Sequence, residues 1–210
     1  MLALRAVCFD LDGTLLDSLA AHHAVYRKVF AALGRRLDDR DYAARYSPNW
    51  YLFYERMGLP REQWPQADRL WLRHYADEAP APRPYADTLL AALRASGRRL
   101  GLVTSGDRSR VERDLHRSGW MGAFDVVVCG GDVPERKPLP GPLRYALERL
   151  GVDPPAALYV GDTVEDIAMA RAAGTRCAAV LGGFGDRDAL AAAQPDAIVT
   201  SLAELGTLLG

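Results

Sequence analysis

Lysine is almost missing from this chain. Of its 26 basic residues 24 are arginine, and only Lys28 and Lys137 are lysine. Arginine is used wherever a positive charge suffices, so a lysine points to a need for a compact ammonium rather than a planar fork. Cysteine is scarce too. Cys8, Cys129 and Cys177 are an odd number without metal-ligand spacing, each in or beside an apolar run, which excludes a disulfide framework and reads as buried free thiols of a reducing compartment. Charge of one sign is lacking: the net charge is −1, which excludes a global attraction to nucleic acid or an anionic membrane. No uninterrupted apolar run reaches the length of a membrane span, and the chain meets Asp10 too early for the apolar stretch of a signal peptide. A cytoplasmic protein that binds neither membrane nor nucleic acid is the expectation.

What is present is an ordinary globular composition, 49% hydrophobic and 25% charged over 210 residues. Short apolar runs alternate with helical patterns. The runs ALRAVCFD (3–10), RLGLVTS (99–105), FDVVVCG (124–130), AALYVGD (156–162), RCAAVLG (176–182) and DAIVTS (196–201) are too short for helices. Several carry Val or Leu on both faces, as strands buried between two helix layers do. Between them, 86–97, 107–119, 140–151 and 163–174 read as helices that stop on glycine. The expected fold is α/β, a doubly wound parallel sheet. Residues 16–80 break the alternation. They hold helical runs near 18–33, 39–46, 49–57 and 62–77, three of the four Trp, and a proline-rich exit at EAPAPRP (78–84). They read as an inserted helical cap, with residues 1–15 and 81–210 forming the core domain.

Open α/β sheets bind ligands beyond the carboxyl ends of their strands, so the residues there matter most. FDLDGT places Asp10, Asp12 and Thr14 after the first strand. VTSG places Thr104, Ser105 and Gly106 after the second, ERKPLPG places Lys137 after the third, and VGDTVED places Asp162 and Asp166 after the fourth. Two carboxylates as close as Asp10 and Asp12 repel unless a cation or a proton holds them. Each station alone has an ordinary reading. Asp12 suits a turn, Thr104 a helix cap, Lys137 an exposed surface, and Asp162 a helix N-cap completed by Glu165 in a capping box.

Together and in this order the four stations resemble the haloacid dehalogenase superfamily. The resemblance is to the branch with a helical cap after the first strand, and to its phosphoglycolate phosphatase-like members most of all. It implies a Mg²⁺-dependent phosphatase acting on a small phosphorylated metabolite, phosphoglycolate- or sugar-phosphate-like. Asp10 would be the nucleophile and Asp12 the general acid and base. Asp10, Asp162 and the backbone carbonyl of Asp12 would hold the metal with Asp166 in support. Thr104, Ser105, Gly106 and Lys137 would take the phosphate, with Thr14 tying down the loop past Asp10. A β-phosphoglucomutase-like phosphomutase is the alternative on the same nucleophile; the Gly-Asp form of VGDTVED argues against it. Asp12 argues against dehalogenation, and Lys28 lies too early in the cap for a Schiff-base lysine.

In the cap, His22 matches a position that contacts the acid/base Asp in capped relatives, notably hexose phosphomutases. The stretch RYSPNWYLFYERMG (45–58) holds the one asparagine, Asn49, and lies where the resemblance puts a specificity loop. Arg45 there is placed to pair with a substrate carboxylate or second phosphate. The plainer reading makes Trp50, Tyr51, Phe53 and Tyr54 cap core and leaves Arg45 solvated. Tyr85 stands where relatives carry glycine. The sequence leaves open monomer or homodimer.

Overall fold

The computed structural model describes residues 3–210. Strands β1 (Ala6–Phe9), β2 (Arg99–Val103), β3 (Val126–Val128), β4 (Ala157–Gly161), β5 (Arg176–Val180) and β6 (Ala197–Val199) form one sheet in the order β3-β2-β1-β4-β5-β6. Every pairing is parallel. The strands alternate their side chains between two cores. Val7, Phe9, Leu100, Leu102 and Val160 enter one hydrophobic cluster, while Ala6, Cys8, Val103 and Tyr159 enter another on the opposite face. Burial on both faces explains why the runs carry no polar alternation. All three cysteines are buried free thiols.

The chain order of the sheet reverses between β1 and β4. That is the crevice where open sheets take ligands, and it is where the first and fourth stations lie. The helices of the core are α5 (Ala86–Ala95), α6 (Arg108–Arg117), α7 (Gly141–Leu150), α8 (Val164–Ala173), α9 (Arg187–Ala192) and α10 (Leu202–Leu209). The first four lie within two residues of the expected helices. The last two are short and were not expected. Each is opened by a side-chain cap, Asp186 for α9 and Ser201 for α10.

Between β1 and α5 stand α1 (Leu19–Ala32), α2 (Asp39–Arg45), α3 (Trp50–Arg56) and α4 (Trp64–Tyr75), with no strand among them. They share their own cluster, built on Val25, Val29, Phe30, Phe53, Tyr54 and Ala67. This is the inserted helical cap. It rests on the core through mixed contacts. The Tyr75 hydroxyl donates to Asp114 (3.3 Å), Arg56 pairs with Glu165 (3.6 Å), and Tyr46 stacks on Phe184 with ring centroids 4.3 Å apart. Tyr85, at the return from cap to core, has φ +68° and precedes α5. A side chain is strained in this left-handed region where glycine is not. Among the described residues no helix is long and apolar enough to cross a membrane.

Candidate active site

Asp10 leaves the end of β1 and is buried. Its Oδ1 accepts from Lys137 Nζ at 2.5 Å, and the same ammonium donates to Asp166 Oδ1 at 2.8 Å. Asp10, Asp162 and Asp166 each offer an oxygen, and these atoms lie within 4.8 Å of one another. Gly13 lets the loop from β1 pass against this group. Its φ is +81°, and a Cβ there would strike the carboxyl of Asp162.

Three buried carboxylates thus stand together with one ammonium, which bonds Asp10 and Asp166, so carboxylates outnumber cations. Burial pushes the Asp10 carboxyl up to about 7 against the pull of Lys137, with Asp166 and Asp12 adding to the rise. Asp162 is pushed well above the carboxylate range by burial and by Asp10 and Asp166. Asp166 goes the other way, because Lys137 and hydrogen bonds from Thr163 and Tyr159 outweigh its burial. The Lys137 ammonium is held charged, since Asp10 and Asp166 outweigh burial. A hard divalent cation with oxygen ligands fits this excess and this donor set.

Asp12 stands in an opposite setting. Arg110, 1% exposed, grips it twice, Nη2 to Oδ2 at 2.6 Å and Nη1 to Oδ1 at 3.0 Å. His22 Nε2 lies 3.1 Å from Oδ1. Burial alone would raise this carboxyl, but Arg110 and His22 outweigh it and hold it well below the usual range. Arg110 also bonds Asp114 (3.2 Å) and lies over the rings of Trp71 and Tyr75 of α4, 5.9 and 5.2 Å from their centroids. A cavity of about 240 Å³ opens above Asp10 and Asp12, with Thr104, Ser105 and Gly106 at its floor and cap residues for walls.

With that geometry in view, residues 4–174 match the family model described as haloacid dehalogenase-like hydrolase. The chain belongs to the haloacid dehalogenase-like hydrolases. Among its relatives are phosphoric monoester hydrolases. The phosphoglycolate phosphatase of Synechococcus elongatus is 34% identical, covering 96% of this chain and 95% of that protein. That of Neisseria meningitidis is 33% identical, covering 96% and 92%. In structure the chain is similar to CbbY from Rhodobacter sphaeroides, solved in complex with phosphate, with a TM-score of 0.83, 27% identity, and coverage of 97% and 96%.

The fold of this haloacid dehalogenase-like hydrolase brings Asp10, Asp12, Thr104, Ser105, Gly106 and His22 to one cavity. Lys137, Asp162 and Asp166 stand behind Asp10. Thr14 is fully buried and donates to Asp162 Oδ1 at 2.8 Å, so it braces the carboxylate group rather than facing the cavity. The Asp12 carboxyl stays outside the carboxylate group around Asp10, and Arg110 clamps it. The N-cap of α8 is Thr163, not Asp162, and its capping-box partner is Asp166, not Glu165. This frees Asp162, whose Oδ2 instead accepts from the Phe184 N–H at 2.7 Å. Arg45 faces away, donating to the Arg56 carbonyl (3.0 Å) and pairing with Asp41 (3.3 Å). Asn49 is not in the cavity wall either. Its amide donates to the Lys137 carbonyl at 3.4 Å, across the seam between cap and core.

Arg110, Asp114, Tyr159 and Phe184 escaped the sequence reading. Arg110 and Asp114 are spaced i, i+4 in RSRVERD, so they share a helix face. In a chain with 24 arginines that spacing singles out nothing.

Proposed function

We propose that the protein is a Mg²⁺-dependent phosphatase that hydrolyses a small soluble phosphate monoester through an aspartyl-phosphate on Asp10. The observation that carries the reading is the pair of opposed settings two residues apart: Asp10 within a cation-seeking carboxylate group, Asp12 outside it. Asp10, Asp162 and the Asp12 backbone carbonyl would hold the metal. Asp166 has both oxygens engaged by Lys137, Tyr159 and Thr163, so it orients the group from behind. Bound there, the metal would supply charge neutralisation that lets an anionic phosphoryl group approach an anionic nucleophile.

The remaining steps belong to the chain itself. Asp10 attacks phosphorus, and the alcohol oxygen leaves with the bonding pair. Lys137, fixed between Asp10 and Asp166, offsets charge on the transferring group. Thr104 and the N–H groups of Ser105 and Gly106 take phosphoryl oxygens ahead of α6. Asp12 gives a proton to the leaving oxygen and later takes one from the water that hydrolyses the aspartyl-phosphate. The clamped, ionised Asp12 suits the second of these roles. For the first, Arg110 must loosen. Trp71 and Tyr75 of the cap hold that guanidinium, so cap movement and proton delivery are coupled. The moving unit is taken as residues 16–80 against 1–15 and 81–210, a helical lid on two connections.

The test is phosphate release from an aryl phosphate monoester with Mg²⁺ and with EDTA. Activity that needs the metal supports the reading; equal rates in both would end it.

A further inference from the structure

The cavity has two unlike ends. Its floor is the charged edge of the sheet. Its walls are rings: Tyr26, Tyr46, Trp50, Tyr51, Tyr54 and Trp71 all line it. The charged group at the cap end is an anion, Asp68, which accepts from the hydroxyls of Tyr51 (3.3 Å) and Tyr54 (3.1 Å).

The basic side chains that line the cavity, or back it at Asp10, are already engaged. Arg110 is divided between Asp12 and Asp114, His22 faces Asp12, and Lys137 is divided between Asp10 and Asp166. Arg45 points elsewhere, and Arg136, stacked over Trp50 and Tyr51 at 4.4 and 4.8 Å, is not part of the lining. Among the described residues no uncommitted cation lines the cavity. A second anionic group on the substrate would therefore be desolvated without a partner and would face Asp68. An uncharged ring meets instead several aromatic rings, which favour edge and offset contacts with it. Size agrees. An apolar cavity of roughly 150 Å³ holds a benzene molecule, and about 240 Å³ here leaves room for a phosphoryl group as well.

We propose that this cavity selects phosphate monoesters whose alcohol carries a flat, uncharged aromatic ring, and discriminates against a short carboxylate or a second phosphate. The inference rests on the phosphatase reading above. It departs from the substrate named for the phosphoglycolate phosphatase relatives.

The experiment compares kcat/KM with Mg²⁺ for benzyl phosphate, ethyl phosphate and 2-phosphoglycolate. All three expel an alkyl oxygen, so the chemistry at phosphorus is matched. The expected result is benzyl phosphate ahead of both others by about tenfold or more, from ring burial. Trp50→Ala lowers the benzyl-to-ethyl ratio several-fold, and a ratio cancels any loss of folded enzyme. Asp68→Asn keeps an acceptor for the two tyrosines, removes the charge, and raises the phosphoglycolate-to-ethyl ratio. Benzyl phosphate no better than the others, or a ratio that Trp50→Ala leaves unmoved, overturns the aromatic selection while ethyl phosphate turnover still upholds a phosphatase. Turnover of none of the three overturns both.

Discussion

The strand edge and the cap wall face each other across one cavity and are made of opposite chemistries. The edge gathers carboxylates, hydroxyls and one ammonium at the point where the sheet order reverses. The wall gathers tyrosine and tryptophan, with Asp68 as its charge. In the proposed reading the edge takes the phosphoryl group, whatever alcohol it leaves. In that reading the wall meets the part of the substrate that differs between one monoester and another. Arg110 belongs to both: it rises from α6, grips Asp12, and lies against two cap rings.

The largest effect expected tests the edge alone. Asp10→Asn should lower kcat by about 10⁴-fold or more, as loss of a nucleophile does, with an unchanged circular dichroism spectrum. Next comes the residue that joins the two regions. Arg110→Ala leaves Asp12 and Asp114 buried without their cation, and should cost about 3–5 kcal/mol in urea unfolding. Arg45→Ala, on an exposed pair, should stay within about 0.5 kcal/mol. Equal costs at the two arginines would break the distinction drawn between them.

Metal binding gives a third test. Mg²⁺ at a hundred times its dissociation constant should stabilise the fold by about 2.7 kcal/mol, seen as a rise in Tm. Asp162→Asn should abolish most of that rise. The pH dependence follows from Asp12, whose folded-state carboxyl lies below its unfolded value of about 3.9. Its contribution is present above the unfolded value and is lost as pH falls through the folded one. The stability difference between the protein and Asp12→Asn should therefore be flat at neutral pH and shrink below about pH 4. A small effect of opposite sign lies at the cap hinge. Tyr85→Gly relieves left-handed strain of about 1–2 kcal/mol and adds about 0.5–1 kcal/mol of unfolded-state entropy, a net gain near 0.5 kcal/mol by thermal unfolding.

The two regions also differ in how far their sequence can be read. Asp10, Asp12, Thr104, Lys137 and Asp162 each follow a strand, and a parallel sheet brings strand ends together whatever the helices do. The order of the apolar runs was therefore enough to group them. The cap offers no such rule. Its helices were legible from their apolar spacing, but which face of α2 or α3 meets the core depends on packing between elements. Arg45, a specificity-loop candidate by resemblance and a solvated side chain on the plainer reading, pairs along its own helix on an exposed face. Arg110 was hidden for the opposite reason: it sits in an ordinary amphipathic helix, and its target Asp12 lies 98 residues away in sequence. The ordinary reading of Asp162 as a helix cap misses by one residue, because Asp162 and Thr163 are both good N-caps. Asp162, nearer the strand end, is the one left free to join the carboxylate group.

The most direct measurement is acid quenching during turnover with Mg²⁺, followed by mass analysis of the peptide that carries Asp10. One phosphoryl group on that aspartate, absent when substrate or metal is omitted, is the expected result. Steady release of phosphate with no trace of label on Asp10, together with full activity of the Asp10→Asn protein, would contradict it.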